Sequence, residues 1–307
     1  MMRGKKTLGE TILELLDKHV NKNNGIILGQ CVCAPGSENG TIPVSYNVID
    51  IPMSETAGAD FAIGCSLAGR RAVFVVRYQD FMLLGASPFI TYASVVKDLY
   101  GVSAPVFIRA ITSDYLDCNH SNVLYSMFMH HPGFYVCAPM TPKEYIEAWT
   151  TFMLNDNPFF CSECRDAYSE DGEMPNETYA DATINVFGIS KARVNILEAK
   201  EILQNIGIHI NIFHIVWLKP LDISEYIPYL QLCPLGLVVD SGRVTCGASE
   251  HIAYELMRMV KGSRVYALGI DDVPKSTNPN YYNEIPSAEK IAQYIVKILS
   301  ETGFNNE

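Results

Sequence analysis

The feature that most constrains this 307-residue chain is a series of short, near-continuous apolar runs. Examples are Gly-Ile-Ile-Leu at 25–28, Ala-Val-Phe-Val-Val at 72–76 and Pro-Val-Phe-Ile-Arg-Ala at 105–110, separated by stretches with helical spacing. A strand wetted on one side alternates apolar and polar residues, whereas a run without alternation has to be covered on both faces. Such runs joined by helices form a parallel sheet between two helix layers. Strands are expected at 25–28, 47–51, 72–76, 105–110, 134–138 and 158–161, and helices at 7–20, 54–68, 80–99, 120–129 and 142–154. The fold class that follows is α/β, with a doubly wound first domain.

Residues 165–180, RDAYSEDGEMPNETYA, are polar, acidic and poor in apolar residues, the composition of an interdomain connection. Beyond them the pattern resumes, with strands at 182–187, 209–215, 236–240 and 264–268 and helices at 194–205, 223–229, 249–260 and 287–299. The expected organisation is a first domain over 1–165, a linker over 166–181 and a smaller α/β domain, also doubly wound, over 182–307, with no sequence repeat between the two.

Composition narrows the function classes. A formal net charge of −11, with no basic run, argues against nucleic acid or an anionic membrane as partner. No stretch reaches the roughly 18–20 apolar residues of a spanning helix. The opening 20 residues turn amphipathic at Glu10, Glu14 and Asp17, unlike a signal peptide, so a cytoplasmic location is expected. The nine cysteines then read as reduced thiols. Cys161-Ser-Glu-Cys164 and Cys31-Val-Cys33 have the close spacing of metal or redox pairs, but no second pair follows at zinc-site spacing, and buried small apolar side chains are the alternative. No metal ligands are assigned.

The general motifs for dinucleotides, P-loop phosphates, zincins and serine hydrolases are absent. One segment stands out. In NVIDIPMSETAGADF, Glu55 falls just past an apolar strand, in the first turn of a helix with Ser54 as candidate N-cap. A carboxylate there lies where doubly wound folds build ligand crevices, although a helix dipole also favours an acidic first turn.

This segment, IDIPMSE at 49–55, resembles the I-D-x-P-[IL]-[SC]-E segment of the β subunits of thiamine-diphosphate-dependent 2-oxo-acid dehydrogenase first components, of the pyruvate and branched-chain type, which are related to transketolase. The resemblance continues through His120-Ser121-Asn122, HHPGFYVCAP at 130–139, and NDNPFFCSECRDAYSEDGEMP at 155–175. It extends through LKPLD at 218–222 and VVDSGRVTCGASEHIA at 238–253 to the GIDDVP…PSAEKI tail, so it spans residues 7 to 300 or so. It implies a pyrimidine-binding domain followed by a transketolase C-terminal-like domain. By the same resemblance Glu55 is a catalytic and cofactor-binding residue. Its carboxylate would accept from a ring nitrogen of the aminopyrimidine and so favour the imino form, whose nitrogen takes a proton from the thiazolium carbon. Phe81, 26 residues after Glu55, matches an aromatic ring that stacks on the aminopyrimidine, and His120 matches a catalytic histidine facing the thiazolium and substrate. His130 matches a position read as structural.

Several segments depart from the family. The acidic residue usual after Gly29 is Gln30, followed by CVCAPGSENGTIP through residue 43. The family's Asp-Gln pair is Ser87-Pro88, and Pro88 should kink or delay its helix. The glycine-rich loop before His120 is AITSDYLDCN at 110–119, with Tyr115 and Asp117. By the resemblance, these are loops expected at the substrate mouth. The family's G-D-G…N segment for magnesium and diphosphate is carried by a separate α subunit, and no such segment occurs here. The resemblance therefore implies an enzyme component active only with an α-type partner that holds diphosphate and Mg²⁺, in an α₂β₂ assembly. The activity expected is oxidative decarboxylation of a 2-oxo acid, with the acyl group passed to a lipoyl acyltransferase. The alternative is a transketolase-like enzyme moving a two-carbon unit to a sugar-type acceptor, and a non-catalytic scaffold is a third reading.

Overall fold

The computed structural model describes residues 5–112, 120, 122–273 and 284–303. In chain order its elements are α1 (Leu8–Lys22), β1 (Ile26–Gly29), the single turn α2 (Ser37–Gly40), β2 (Val48–Asp50), α3 (Glu55–Leu67), β3 (Ala72–Val76), α4 (Met82–Pro88), α5 (Val96–Tyr100), β4 (Val106–Thr112), α6 (Tyr125–His130), β5 (Tyr135–Cys137), α7 (Pro142–Leu154) and β6 (Phe159–Cys164). They continue with β7 (Ile184–Ile189), α8 (Ala192–Gln204), β8 (Ile210–Ile215), β9 (Trp217–Lys219), α9 (Ile227–Leu232), β10 (Leu235–Arg243), α10 (Ala248–Met259), β11 (Arg264–Ile270) and α11 (Ala288–Thr302). The chain divides into two compact units. The first is Met1–Glu173 with Leu218–Pro220, and the second is Met174–Trp217 with Leu221–Glu307.

The first unit's sheet has the order β2-β1-β3-β4-β6-β5-β9. The pairs β1/β2, β1/β3, β3/β4, β4/β6 and β5/β6 are parallel, and β3, β4 and β6 are buried at every position. The pleat sends consecutive side chains to opposite faces. Phe107 packs on Trp149 and Phe152 of α7, with His19 of α1 edge-on to Trp149. Phe74, on the opposite face, meets Phe89 and lies against Gly58 of α3, where a Cβ would come within 3.0 Å of it. Capping boxes start α1 and α7, pairing Thr7 with Glu10 and Thr141 with Glu144, and Pro142 occupies the first turn of α7, where its missing N–H costs nothing.

In the second unit the order is β11-β10-β7-β8, all parallel. Val186 and Ile212 face a core with Ile196 and Leu203 of α8 and Ile291, Ile295 and Ile298 of α11. Phe187 and Phe213 face the other way, toward Tyr226, and Phe213 also toward Tyr229 of α9. The chain is thus mixed α/β with parallel sheets, as the unalternated apolar runs require.

Three sequence expectations are corrected. The helix read over 80–99 is broken. A 3-10 turn at Gln79–Phe81 leads into α4, which ends at Pro88; a π turn follows at Phe89–Ala93, then α5. Pro88 lacks the N–H that would continue the ladder, and the wider turn absorbs the mismatch. The helix read from 120 begins only at Tyr125. Cys31 and Cys33 are exposed rather than buried, while Cys161 and Cys164 are buried in β6. The strand β9, within LKPLD, escaped the reading because three residues carry no periodicity; there Lys219 Nζ donates to the carbonyls of Met129, at 2.8 Å, and His131. The acidic stretch 166–181 is pinned within each unit: Glu170 O accepts from Leu8 N in the first, and Glu177 pairs antiparallel with Ile212 in the second.

The first unit buries an ion pair completely. Arg109 of β4 donates from Nε and Nη2 to the two carboxylate oxygens of Glu163 of β6, at 2.8 and 2.7 Å, and neither side chain is more than 1% exposed. Tyr145 and Tyr168 donate to the same carboxylate at 2.8 and 2.6 Å, and Arg109 reaches Thr41 Oγ1 at 3.0 Å. Burial, then Glu163, push both tyrosines well above the ordinary phenol range, so they remain donors. Burial opposes the charge on Arg109, but Glu163 and the two tyrosines outweigh it and hold the group charged.

Arg109→Met should lower stability by about 3–5 kcal/mol, because Glu163 is left buried without its counter-charge, whereas Arg109→Met with Glu163→Leu should recover much of it. Urea unfolding of the three proteins checks this, and equal midpoints for wild type and Arg109→Met would refute it. A second expectation concerns His19, fully buried with Nε2 3.0 Å from Arg71 O. Burial lowers its pKa below 6.5, aided by Arg71 and Arg70. The unfolded chain then binds the proton first, so stability should fall as pH drops below about 6.5, and His19→Gln should flatten that slope in thermal melts. An unchanged slope in His19→Gln would refute the assignment.

Candidate active site

In the first sheet the chain runs from β1 outward to β2 and then to β3 on β1's other side, which makes the carboxyl ends of β1 and β3 a topological switch point. The crevice there is narrow and is lined by Gln30 after β1, Ile51 and Glu55 after β2, and Phe74, Val75, Val76, Arg77 and Phe81 at and beyond β3. Glu55 is the first residue of α3, 8% exposed, with its carboxylate at the positive end of the helix dipole. Its Oε1 accepts from Gln30 Nε2 at 2.7 Å. α4 presses close: a Cβ on Gly85 would lie 3.1 Å from Glu55 Cβ, so glycine is what lets the two helices approach here.

Beyond Phe81 the wall is aromatic. The rings of Tyr78 and His120 are 4.3 Å apart, those of Phe81 and His120 5.5 Å, and those of Tyr78 and Phe81 5.8 Å, all edge to face. The segment after His120 is fastened by polar groups from the turn after β3. Gln79, fully buried, donates to Ala110 O at 2.9 Å and Ser162 Oγ at 2.7 Å and accepts from Leu124 N at 2.7 Å. Asp80 accepts from Asn122 N at 3.2 Å and from its side-chain amide. Burial of Gln79 is affordable because three partners satisfy it.

Of the three residues singled out from sequence, Glu55 and Phe81 line the crevice, and His120 stands behind Phe81 in ring contact with it. Ser121, Tyr115 and Asp117 lie outside the described residues. Sequence reasoning noted Gln30 only as a departure and missed its bond to Glu55; its place directly after an apolar strand was the signal. It also missed Arg77, Tyr78 and Gln79, which follow β3 in the same way. It missed a carboxylate from the loop as well: Glu38, whose side chain is 1% exposed, lies 2.8 Å from Arg77 Nε and 3.2 Å from Arg165 Nη2. Nothing in GSENG marks that glutamate as buried.

The arrangement suits a flat, nitrogen-containing ring. One wall is apolar, an aromatic side chain borders it, and a buried carboxylate faces it, one of whose oxygens already accepts from Gln30. Among the described residues no group of three or more His, Cys, Asp or Glu is placed to hold a metal ion.

Comparison with known proteins bears on the family and the fold. Residues 15–170 match the family model for the transketolase pyrimidine-binding domain. The β subunit of the acetoin:2,6-dichlorophenolindophenol oxidoreductase of Cupriavidus necator is 26% identical over 268 residues, covering 80% of this chain and 78% of that protein. The pyruvate dehydrogenase E1 component β subunit of Mesostigma viride is 24% identical over 268 residues, covering 79% and 81%. Among solved structures, a split-gene transketolase in an inactive β4 tetramer superposes with a TM-score of 0.75 at 14% identity, covering 97% of this chain and 99% of that one. The transketolase of Campylobacter jejuni superposes with a TM-score of 0.72 at 14% identity, over 95% of this chain but 47% of that one. These likenesses bear on the fold, and the match over 15–170 decides membership: the chain belongs to the transketolase pyrimidine-binding-domain family.

Proposed function

We propose that this chain is the β-type subunit of a thiamine-diphosphate-dependent oxidoreductase that cleaves the bond beside the carbonyl of a 2-oxo acid or a related hydroxyketone. The observation that carries the reading is the buried Glu55 carboxylate at the switch-point crevice, with Phe81 beside it and His120 in contact with Phe81. The relatives with β-subunit names, acting in their own cases as acetoin oxidoreductase or pyruvate dehydrogenase, support it. When bound, thiamine diphosphate supplies a carbon nucleophile that takes up an acyl unit and an electron sink that stabilises it.

This chain's residues have separable tasks. Glu55 would accept from the aminopyrimidine and so select its tautomer, and Gln30's N–H orients one of its carboxylate oxygens. Phe81 orients the ring by its face. His120, on the aromatic side of the crevice, orients or moves a proton at the substrate's oxygen. Ile51, Phe74, Val75 and Val76 exclude water from the carboxylate.

The diphosphate and Mg²⁺ belong, in this reading, to an α-type subunit, with the cofactor spanning the contact in an α₂β₂ assembly. The acyl acceptor is a lipoyl acyltransferase. Residues 1–165 form the pyrimidine-binding domain and 182–307 the C-terminal domain, joined by 166–181. The described residues contain no helix long and apolar enough to cross a membrane, and a cytoplasmic enzyme fits the proposed partners.

Co-expression with the adjacently encoded α-type chain should yield a complex that consumes pyruvate, a branched 2-oxo acid or acetoin only with thiamine diphosphate and Mg²⁺. Turnover of ketose phosphates instead would move the assignment to a two-carbon transferase, and activity of this chain alone would refute the division of labour. In that complex Glu55→Ala should assemble normally and turn over about 100-fold more slowly or worse; wild-type turnover in the variant would remove the mechanism. His120→Ala should lower turnover with cofactor affinity nearly unchanged, as read by calorimetric titration beside the activity assay.

A further inference from the structure

The loop after β1 is short of apolar residues, and a glutamate in GSENG belongs by composition on its wet side. Glu38 does the opposite. Its side chain is buried, and it and Asn39 adopt left-handed backbone angles, with φ of 47° and 57°, which non-glycine residues visit at a cost. Thr41, fully buried, keeps the turn in place: its hydroxyl donates to Glu38 O at 2.8 Å and accepts from Arg109 at 3.0 Å. Desolvation and backbone strain are tolerated here to deliver one carboxylate to two guanidinium groups, those of Arg77 and Arg165.

What those groups hold is the reacting end of the crevice. Arg165 Nη2 bonds both Glu38 Oε2 at 3.2 Å and the carbonyl of Arg77 at 3.1 Å, which anchors that end of its guanidinium. The guanidinium carbon lies over the ring of Tyr78, 5.2 Å from its centroid, and the other side of the contact chain is the 4.3 Å approach of Tyr78 to His120. An arginine without such an anchor samples several rotamers, whereas one whose terminal nitrogen has two acceptors keeps its charge over the aromatic ring. Arg77, the second arginine on Glu38, lines the crevice with Glu55.

We infer that Glu38 is a positioning residue for the active site: through Arg165 stacked on Tyr78 it sets the orientation of His120. A tether that merely fixed its own loop would leave His120 indifferent to Glu38. The inference rests on the proposed place of His120 at the reacting end, but its test is read without turnover.

The test is the histidine-ring ¹H–¹³C spectrum of the full chain labelled at histidine, with the His120 signal assigned through His120→Gln. Edge-on contact with Tyr78 and Phe81 displaces that signal by ring currents. Glu38→Gln keeps the size and removes the charge; it should shift the His120 signal toward that of an unstacked imidazole, and Tyr78→Leu should shift it the same way. On the Tyr78→Leu background Glu38→Gln should add nothing. Arg165→Lys retains a counter-charge for Glu38 and gives up the flat face, so it should reproduce the shift even where Glu38→Gln fails to fold. In the reconstituted complex the same variants should lower kcat by up to about 100-fold with KM little changed, the scale of a small misplacement near the reaction. An unmoved His120 signal in folded Arg165→Lys or Glu38→Gln, or a Glu38→Gln shift of equal size with and without Tyr78, overturns the inference. The reading of His120 itself fails separately, by wild-type turnover in His120→Ala.

Discussion

A guanidinium and a carboxylate shut away from water in the middle of a parallel sheet are expensive, and the first unit is built around one such pair. Arg109 and Glu163 stand on the neighbouring strands β4 and β6, and every group that repays their desolvation comes from a different segment: Tyr145 from α7, Tyr168 from the turn after β6, Thr41 from the loop after β1. Each contact is a hydrogen bond to a charge in a medium of low polarity, strong when made and costly when missing. The pair therefore ties one helix and two loops to the sheet. One of those loops reaches a crevice residue, because Thr41 closes the turn that carries Glu38, which pairs with Arg77.

The crevice itself follows from topology. Strand order reverses at β1, so the helices that follow β1 and β3 diverge and leave a gap that side chains from β1, β2 and β3 line. A helix beginning at the rim of that gap favours a carboxylate in its first turn, and a neighbouring amide, Gln30, gives the carboxylate a partner. Phe74 and Val75 thus belong both to the core and to the crevice lining, and half-buried Ile51 adds to the latter.

Much of this was legible in the amino-acid order because it rests on local rules. Unalternated runs such as 72–76 announced strands covered on both faces, helical spacing announced α1 and α7, and Glu55 stood one residue past a candidate cap. What was not legible depends on partners far apart in sequence. Glu38 looks like a solvated loop residue until Arg165, 127 positions later, is folded beside it. Arg109 inside an apolar run gives no hint that its counter-charge is Glu163. The break near Pro88 was foreseen as a kink, but its form, a π turn, depends on how Phe89 must turn to meet Phe74. Strand β9 is too short to show a period and exists through a sheet edge supplied by distant residues.

The central claim is that this chain contributes the carboxylate that governs the pyrimidine end of thiamine diphosphate. The most direct measurement is a crystal structure of the complex with its α-type partner, thiamine diphosphate and Mg²⁺. The account predicts the aminopyrimidine seated in the switch-point crevice beside Phe81, with one of its ring nitrogens within hydrogen-bond distance, about 2.7–3.2 Å, of a Glu55 carboxylate oxygen. A cofactor bound with its pyrimidine away from that crevice, Glu55 still paired to Gln30 alone, would contradict it.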